Sequence, residues 1–169
     1  MAVQPVVLYP DPRLKRVCEP IEPGEEARRI AEDLLDTMNT VPGVGIAAPQ
    51  IGVLRRVVLV DASRNPRHDP GHGLMLLVNP VIVAAEGTQV FKEGCLSIPQ
   101  YLANIERARS ITVEGWTPDG DSVRFDAEDF EAVVIQHELD HLDGILFLDR
   151  IRDMTTDLFE RKERKKKRK

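Results

Sequence analysis

The sequence predicts an α+β fold in which antiparallel sheets surround a central metal-binding helix, with an N-terminal amphipathic helix and a C-terminal helix. Apolar segments with the composition of strands alternate with turn sequences between residues 57 and 125. One helical pattern precedes this region, and a second, which contains two histidines, follows it. Because the strands are grouped between the helices and do not alternate with them, the α+β class is favoured.

The first helix is predicted from about residue 25 to residue 39. Its apolar residues recur with the 3.6-residue period of a helix, while acids and arginines occupy the opposite face. The apolar positions are Ala27, Ile30, Ala31, Leu34 and Met38. This face should therefore pack against the core.

The strands are predicted at residues 57–60, 74–78, 81–83, 88–91, 110–116 and 122–125. The last two are separated by Thr-Pro-Asp-Gly, a turn sequence, so they should pair as antiparallel neighbours. The polar loop at 61–73 contains His68 and His72, which we expect to be solvated and to which we assign no role.

Residues 43–52 are rich in small residues, with glycines on both sides of Val44, two alanines and a proline. This composition suits a loop whose backbone, and not its side chains, faces a ligand. Gln50 is the polar exception, and its amide could donate a hydrogen bond into a site. Taken alone, the segment is better explained as a tight turn between a helix and a strand.

The second helix carries the most specific chemical signal, because residues 136–141 read Gln-His-Glu-Leu-Asp-His. His137 and His141 are four residues apart, so both imidazoles project from one face of a helix and can bind one ion. Glu138 could then take a proton from metal-bound water without being a ligand. Asp126 is expected to cap this helix and Gly144 to end it. The alternative is a surface pair of histidines beside a solvated glutamate.

A catalytic metal site needs a third protein ligand and one open position. No histidine or cysteine follows His141, and only acids such as Asp143, Asp149 and Glu160 are present there. The better candidate lies upstream, at Cys95 in the segment Glu-Gly-Cys-Leu-Ser. A single cysteine is more often an inert apolar residue, so Cys95 needs supporting residues.

Residues 43–50, 93–97 and 136–141 together resemble the three signature motifs of the peptide deformylase family, in the same order and at similar spacing. The similarity extends from Val6 to about Ile151. The resemblance implies Cys95, His137 and His141 as metal ligands, Glu138 as base and then acid, the Gln50 amide and the Leu96 backbone N–H as oxyanion donors, and Gly45 as a backbone contact to the substrate.

The activity that this resemblance implies is removal of the N-formyl group from the initiator methionine of new bacterial or organellar polypeptides, which releases formate. The candidates for the methionine pocket are Val44, Phe91, Phe130, Val133 and Val134, although each could be an ordinary core residue. The nearby acids Glu93 and Asp140 could support the ligands, and the resemblance suggests that Arg107 pairs with Glu93.

A thiolate with two imidazoles suits zinc, iron, nickel or cobalt, and the sequence does not choose among them. Members of the family typically use ferrous iron, which zinc or nickel often replaces on isolation. We therefore expect one divalent ion, with Fe(II) as the ion in the cell.

Length and composition predict one domain at residues 1–160, followed by a basic tail at 161–169. The tail carries a charge of +7 in a chain of net charge −5, which leaves −12 on the preceding residues. The expected compartment is the cytoplasm, without membrane insertion, because no basic and apolar leader precedes Val6 and no apolar run is long enough to cross a bilayer.

Thr155 or Thr156 could cap a last helix that leads into the tail. The tail itself is either a solvated end or, as the resemblance suggests, a surface that docks on ribosomal RNA.

Two rival functions remain open at this point. A peptidase that cuts internal peptide bonds could use the same water and Glu138, although it would need an extended cleft and usually a downstream ligand. A metal-stapled module that binds nucleic acid through its tail would instead need a closed fourth ligand, for which Cys18 is the only other thiol.

Overall fold

The structure, a computed structural model, describes residues 2–161. Its helices and strands, in chain order, are α1 (Glu25–Met38), β1 (Gly45–Ala47), β2 (Val57–Asp61), β3 (Leu74–Glu86), β4 (Gln89–Cys95), β5 (Ile98–Arg107), β6 (Ser110–Trp116), β7 (Ser122–Glu128), α2 (Asp129–Leu142) and β8 (Leu158–Glu160). Short 3-10 turns lie at Pro12–Lys15, Ala48–Ile51, Ala62–Arg64 and Phe147–Arg150.

Two antiparallel sheets are present, as predicted. The larger has the strand order β1-β2-β3-β6-β7, and its β6 and β7 pair from Ser110 opposite Glu128 to Trp116 opposite Ser122. The smaller has the order β4-β5-β8, which leaves β4 at its edge.

Strand β2 is buried on both of its faces, and this explains its continuous apolar sequence. Alternate residues of a strand point to opposite faces. Val58 and Val60 pack with apolar residues of α2, whereas Val57 and Leu59 pack with those of α1. The larger sheet therefore lies between the two helices.

Helix α1 is the amphipathic helix that the sequence predicts. All five of its predicted apolar positions are buried. Glu25 and Glu26 occupy its first turn, where negative charge is favourable beside the helix N-terminus.

Helix α2 follows β7 directly and ends at Leu142. The prediction that Gly144 ends it is confirmed, because Gly144 has a φ of 72°, a left-handed conformation that glycine adopts without strain. The prediction that Asp126 caps it is wrong. Strand β7 continues through Asp126 to Glu128, and Glu128 takes the cap position instead.

Strand β3 joins two segments that the sequence predicts as separate. An irregularity lies between Val78 and Val81, where Asn79 has a φ of 50°. The Asn79 side-chain amide accepts a hydrogen bond from Ile21 N–H at 3.0 Å and donates one to Ile21 O at 2.7 Å. These bonds stabilise the bulge, and the strand continues beyond it.

The predicted C-terminal helix is wrong within the described residues. Leu158 pairs with Ala103 and Glu160 with Tyr101, so this segment is an edge strand of the smaller sheet. Pairing with β5 decides its conformation, because a three-residue segment has little helical preference of its own. The rest of the predicted helix and tail, at residues 162–169, lies outside the described residues.

Candidate active site

The Cys95 sulfur and ring nitrogens of His137 and His141 converge in the interior. These three atoms lie within 4.8 Å of one another, and Cys95 Sγ is 3.4 Å from His141 Nε2. Cys95 is the last residue of β4, and successive turns of α2 present the histidines on one face. The structure thus brings together the three side chains that the sequence predicts as metal ligands.

The donor set of this group fits a divalent transition-metal ion, and three side chains leave one coordination position open. Burial lowers the pKa of His141 well below its usual value, which favours the neutral ring that a metal requires. Burial acts in the same direction on His137, but the hydrogen bonds of that ring to Cys95 and Glu93 prevail and raise its pKa. A proton and a metal ion would therefore compete for His137.

A buried ionic network supports His137, whereas Nδ1 of His141 has no hydrogen-bond partner among residues 2–161. Nδ1 of His137 is 2.8 Å from Glu93 Oε1, which fixes the ring and directs its other nitrogen toward Cys95. Arg107 donates to both oxygens of Glu93, at 2.5 and 2.9 Å, and to Asp140 Oδ2 at 2.9 Å. Burial by itself would raise the pKa of Glu93, but His137 and Arg107 outweigh it and lower that pKa. The expected pairing of Arg107 with Glu93 is confirmed.

Glu138 lies beside this group with one oxygen unused by the protein. Burial raises the pKa of Glu138 to about 7. Its Oε1 is buried and has no hydrogen-bond partner among residues 2–161. Gly45 allows this arrangement, because a Cβ at Gly45 would lie 2.5 Å from Glu138 Oε2. The first motif, at residues 43–50, therefore has a glycine at position 45 because the Glu138 carboxylate approaches the backbone closely there.

Gln50 is oriented by hydrogen bonds at both ends of its buried side-chain amide. Ala47 N–H donates to Gln50 Oε1 at 2.9 Å, and Gln50 Nε2 donates to Ser97 Oγ at 3.1 Å. The same nitrogen is 3.7 Å from Cys95 Sγ. Sequence reasoning assigned no role to the fully buried Ser97, although its place in the cysteine motif was a usable signal.

The extended N-terminal segment ties two of the motifs together. Val7 N–H donates to Gln50 O at 2.7 Å, and Tyr9 N–H donates to Ser97 O at 2.8 Å. The motifs that contain Gln50 and Cys95 are thus both hydrogen-bonded to the backbone of residues 7–9. This restrains their relative positions.

A cleft of about 430 Å³ opens in front of these residues. Every site residue that the sequence predicts lines it, apart from His141, which lies deeper. The residues predicted to bind substrate are all on its wall: Val44, Gly45, Phe91, Phe130, Val133 and Val134. The rings of Phe91 and Phe130 stack at 5.3 Å between centroids, which makes this wall flat and apolar. A larger cavity, of about 690 Å³, lies against β3, β6 and β7 and contains none of the metal-binding group.

Of the two loop histidines, which the sequence predicts to be solvated, His72 is exposed and His68 is not. His68 is half-buried, with its ring centroid 4.3 Å from that of Phe130. His72 is exposed, but its Nδ1 is 2.6 Å from Oε1 of the buried Glu131. Both contacts depend on the long-range position of the loop against α2, which local composition does not encode.

Cys18 does not belong to the metal-binding group. It is buried with apolar residues of α2 such as Leu142, and its N–H donates to Leu142 O. Burial raises the pKa of the Cys18 thiol from 9.0 to about 11. The closed fourth ligand that a purely structural metal site would need is therefore not supplied by this thiol.

A cysteine sulfur and two imidazoles beside a buried glutamate, at the base of an apolar cleft, define a metal-dependent hydrolase of the His-Glu-x-x-His class. The sequence model described as polypeptide deformylase matches residues 3–157. The chain belongs to this family.

Individual relatives agree along nearly the whole length. A peptide deformylase of Syntrophobacter fumaroxidans is 40% identical over 167 residues, which cover 98% of this chain and 96% of that protein. The crystal structure of a peptide deformylase from Legionella pneumophila is 34% identical, with a TM-score of 0.82 over 90% of this chain and 88% of that chain. A class I type b peptide deformylase from Acinetobacter baumannii, solved with Met-Ala-Ser bound, is similar at 34% identity and a TM-score of 0.82, over 89% of this chain and 99% of that chain.

The chain is therefore an enzyme, a metal-dependent hydrolase that removes the N-formyl group from nascent polypeptides. The rival function of an internal peptidase is not the activity of this family. Among the described residues, no helix is both long enough and apolar enough to span a membrane.

Proposed function

We propose that Cys95, His137 and His141 hold one divalent ion and that Glu138 carries the proton during deformylation. The observation that supports this most directly is the convergence of the three candidate ligand atoms beside a Glu138 oxygen that has no hydrogen-bond partner in the described part of the chain. A divalent ion held by these residues would supply Lewis-acid polarisation of the formyl carbonyl and would lower the pKa of a bound water toward ~7.

Glu138 accepts the proton of the attacking water and then gives it to the departing amine. Burial raises the pKa of Glu138, which makes the protonated form needed for the second transfer easier to reach than in a solvated carboxyl group. Gly45, whose missing Cβ admits the carboxylate, also presents its backbone to the substrate.

The carbonyl oxygen gains negative charge during attack and needs donors that are already in position. We assign this role to the Gln50 side-chain amide and the Leu96 backbone N–H, both of which lie on the cleft. Such donors are worth about 3 kcal/mol each in other enzymes. The hydrogen bond from Ala47 keeps the Gln50 amino group turned toward Cys95, so the donor already faces the metal-binding group before substrate binds.

The methionine side chain occupies the apolar wall of the cleft, which Val44, Phe91, Phe130, Val133 and Val134 form. The binding of Met-Ala-Ser to the Acinetobacter baumannii relative supports a peptide that begins with methionine as the ligand. A formyl group presents only a hydrogen where an acetyl group presents a methyl. We therefore expect formyl-methionyl peptides to be preferred to acetyl-methionyl peptides.

Formate release from formyl-Met-Ala-Ser, measured with protein prepared anaerobically and with its metal content determined, tests the proposal. Cys95→Ser should lose or change metal binding, because a hydroxyl is a harder and much less acidic donor than a thiol. Cys18→Ser is the matched control and should retain the metal. Unchanged metal affinity in Cys95→Ser would remove Cys95 from the ligand set, and equal rates on formyl and acetyl substrates would contradict the tight site.

We assign Fe(II) as the ion in the cell, because members of the family typically use it. Zinc or nickel would be found after isolation in air, since iron beside a thiolate is prone to oxidation. Activity that is greatest in the anaerobic iron-loaded protein would support Fe(II), and full activity after replacement by zinc would contradict it.

Residues 1–160 form one catalytic domain. The basic C-terminal tail binds the ribosome. A nascent N-terminus emerges in the cytoplasm beside a surface of RNA phosphates, which basic residues bind without sequence preference and with strong salt dependence. Deletion of residues 162–169 should leave turnover of short formyl peptides unchanged and weaken co-sedimentation with ribosomes. Equal sedimentation of both proteins at low salt would leave the tail as a solvated end.

A further inference from the structure

The Arg161 side chain lies in the substrate cleft, although the sequence groups Arg161 with the basic tail. Its backbone N–H donates to Gln100 O at 2.8 Å, directly after β8, which extends the pairing with β5. Its side chain crosses the smaller sheet to Gly94 and lines the cleft. A Cβ at Gly94 would lie 2.6 Å from Arg161 Nη2, so the glycine makes room for the guanidinium beside the metal-ligand candidate Cys95.

A second cation lies on the same part of the cleft. Lys92 also lines it, and its Nζ is 4.2 Å from the ring centroid of Phe159, the residue two before Arg161. Among residues 2–161, no carboxylate forms an ion pair with Lys92 or Arg161. Both side chains are exposed, whereas the acid of the same strand, Glu93, is buried and bound by Arg107. This part of the cleft therefore has positive charge that the protein does not neutralise.

A bound peptide can bring an acid to this place. Strand β4 is at the edge of its sheet, so an extended chain can lie along it, and such a chain advances about 3.3 Å per residue. The deep end of the cleft holds the reacting groups, while Lys92 and Arg161 are at its exposed surface. With the formyl group at Glu138, as the proposed function places it, the residues that follow methionine leave the site past these cations.

We propose that Arg161, assisted by Lys92, is a specificity-determining residue that binds a carboxylate within the first residues after the formylmethionine. The carboxylate is either the side chain of an acidic residue or the terminal group of a short peptide. The inference rests on the proposed function of the cleft, because it takes the direction of the substrate from Glu138 and the metal ligands.

Two matched substrate pairs separate the two sources of the carboxylate. Formyl-Met-Ala-Ser and its C-terminal amide differ only in the terminal charge, and the amides of formyl-Met-Ala-Asp and formyl-Met-Ala-Asn differ only in a side-chain charge. In the wild-type protein, the charged member of at least one pair should have a kcat/KM about three to ten times higher, mainly through KM, as expected for a partly exposed charged hydrogen bond.

Arg161→Gln should bring this ratio close to one, and Arg161→Lys should keep part of it. The ratio should also fall as salt is raised. Arg152→Gln is the control, because Arg152 is an exposed cation that pairs with Glu106 and does not line the cleft. It should leave the ratio as in the wild type.

A higher kcat/KM for the Asp than for the Asn substrate assigns the site to acidic residues of nascent chains. A preference only for the free carboxylate of formyl-Met-Ala-Ser over its amide assigns the site to short peptides. Ratios near one in the wild type, or equal ratios in the wild type and Arg161→Gln, overturn the proposal. Wild-type turnover of the neutral amides reports separately on the proposed function, since no carboxylate is involved.

Discussion

The two α-helices have the same length, 14 residues, but they bury different kinds of side chain. Helix α1 buries one apolar face against the larger sheet and leaves its charged residues in water. Helix α2 buries twelve of its residues, among them Glu131, His137, Glu138, Asp140 and His141. Helix α1 packs on the sheet mainly through its apolar face, while α2 also needs partners for buried charge.

This difference shows which part of the molecule accepts a cost in folding free energy for the sake of function. A buried ionisable group is costly unless it is paired and hydrogen-bonded. On α2 those partners come from distant parts of the chain, because Glu93 and Arg107 belong to the smaller sheet. The Glu138 oxygen that has no hydrogen-bond partner among residues 2–161 is the one to which we assign proton transfer. Substitutions that affect the two helices should therefore differ in what they change, turnover or stability, as well as in the size of the effect.

The largest expected effect is on turnover and concerns two buried glutamates of the same helix. Glu138→Gln should lower kcat on formyl-Met-Ala-Ser about a thousandfold, because it removes the general base, while the bound metal stays at wild-type stoichiometry. Glu131→Gln is the control, since Glu131 bonds His72 away from the cleft and should change kcat by about twofold or less. Substantial turnover by Glu138→Gln would show that another group carries the proton.

The next effect is on stability. Arg107→Ala leaves the buried Glu93 without its arginine partner and removes one of the two arginines that bind Asp140, so we expect a loss of about 4 kcal/mol in the free energy of unfolding, measured in urea. On α1, Arg28→Ala should cost about 0.5 kcal/mol or less, because Arg28 and Asp119 are both exposed. Similar losses in the two variants would mean that Arg150, the other cation on Asp140, compensates within the network.

These two helices also show what a sequence can and cannot predict. Helix α1 was predictable almost to the residue, because its apolar period alone determines which face is buried. The site was predictable from three short motifs, since the residue types and spacings of a metal centre are restrictive. The cation Arg107 could be paired with Glu93 only through the family resemblance, and its second bond to Asp140 was not foreseen.

The smaller sheet was the least predictable part of the fold. Strand β5 begins Ile98-Pro99-Gln100, a polar and proline-containing start that does not indicate a strand. Strand β8 has only three residues and forms because β5 offers an open edge. The place of Arg161 follows from that pairing, so no local pattern could separate it from the tail. Elements fixed by long-range pairing are those for which local sequence is least informative.

A smaller effect is expected from the apolar face of α1. Leu34→Ala removes a fully buried side chain from the contact with the larger sheet and should lower the free energy of unfolding by about 3 kcal/mol. Because Leu34 does not touch the cleft, the kcat of the folded fraction should stay at the wild-type value. A fall in kcat of more than about twofold, with metal content unchanged, would show that α1 also positions the site.

The smallest effect concerns the apolar side of α2, where Cys18 packs against Leu142. Burial raises the pKa of the thiol from 9.0 to about 11, so the neutral form contributes stability that is present below pH 9 and is lost as the pH rises toward 11.

In Cys95→Ser protein, where Cys18 is the remaining cysteine, alkylation by iodoacetamide at pH 8 should be about a hundredfold slower than in the same protein unfolded in urea, because the thiolate fraction is that much smaller. The native rate should continue to rise tenfold per pH unit beyond pH 9. A plateau near pH 9 would instead indicate that Cys18 reacts from a locally opened state with an ordinary pKa, and that this side of α2 is less tightly packed than the side that carries the ligands.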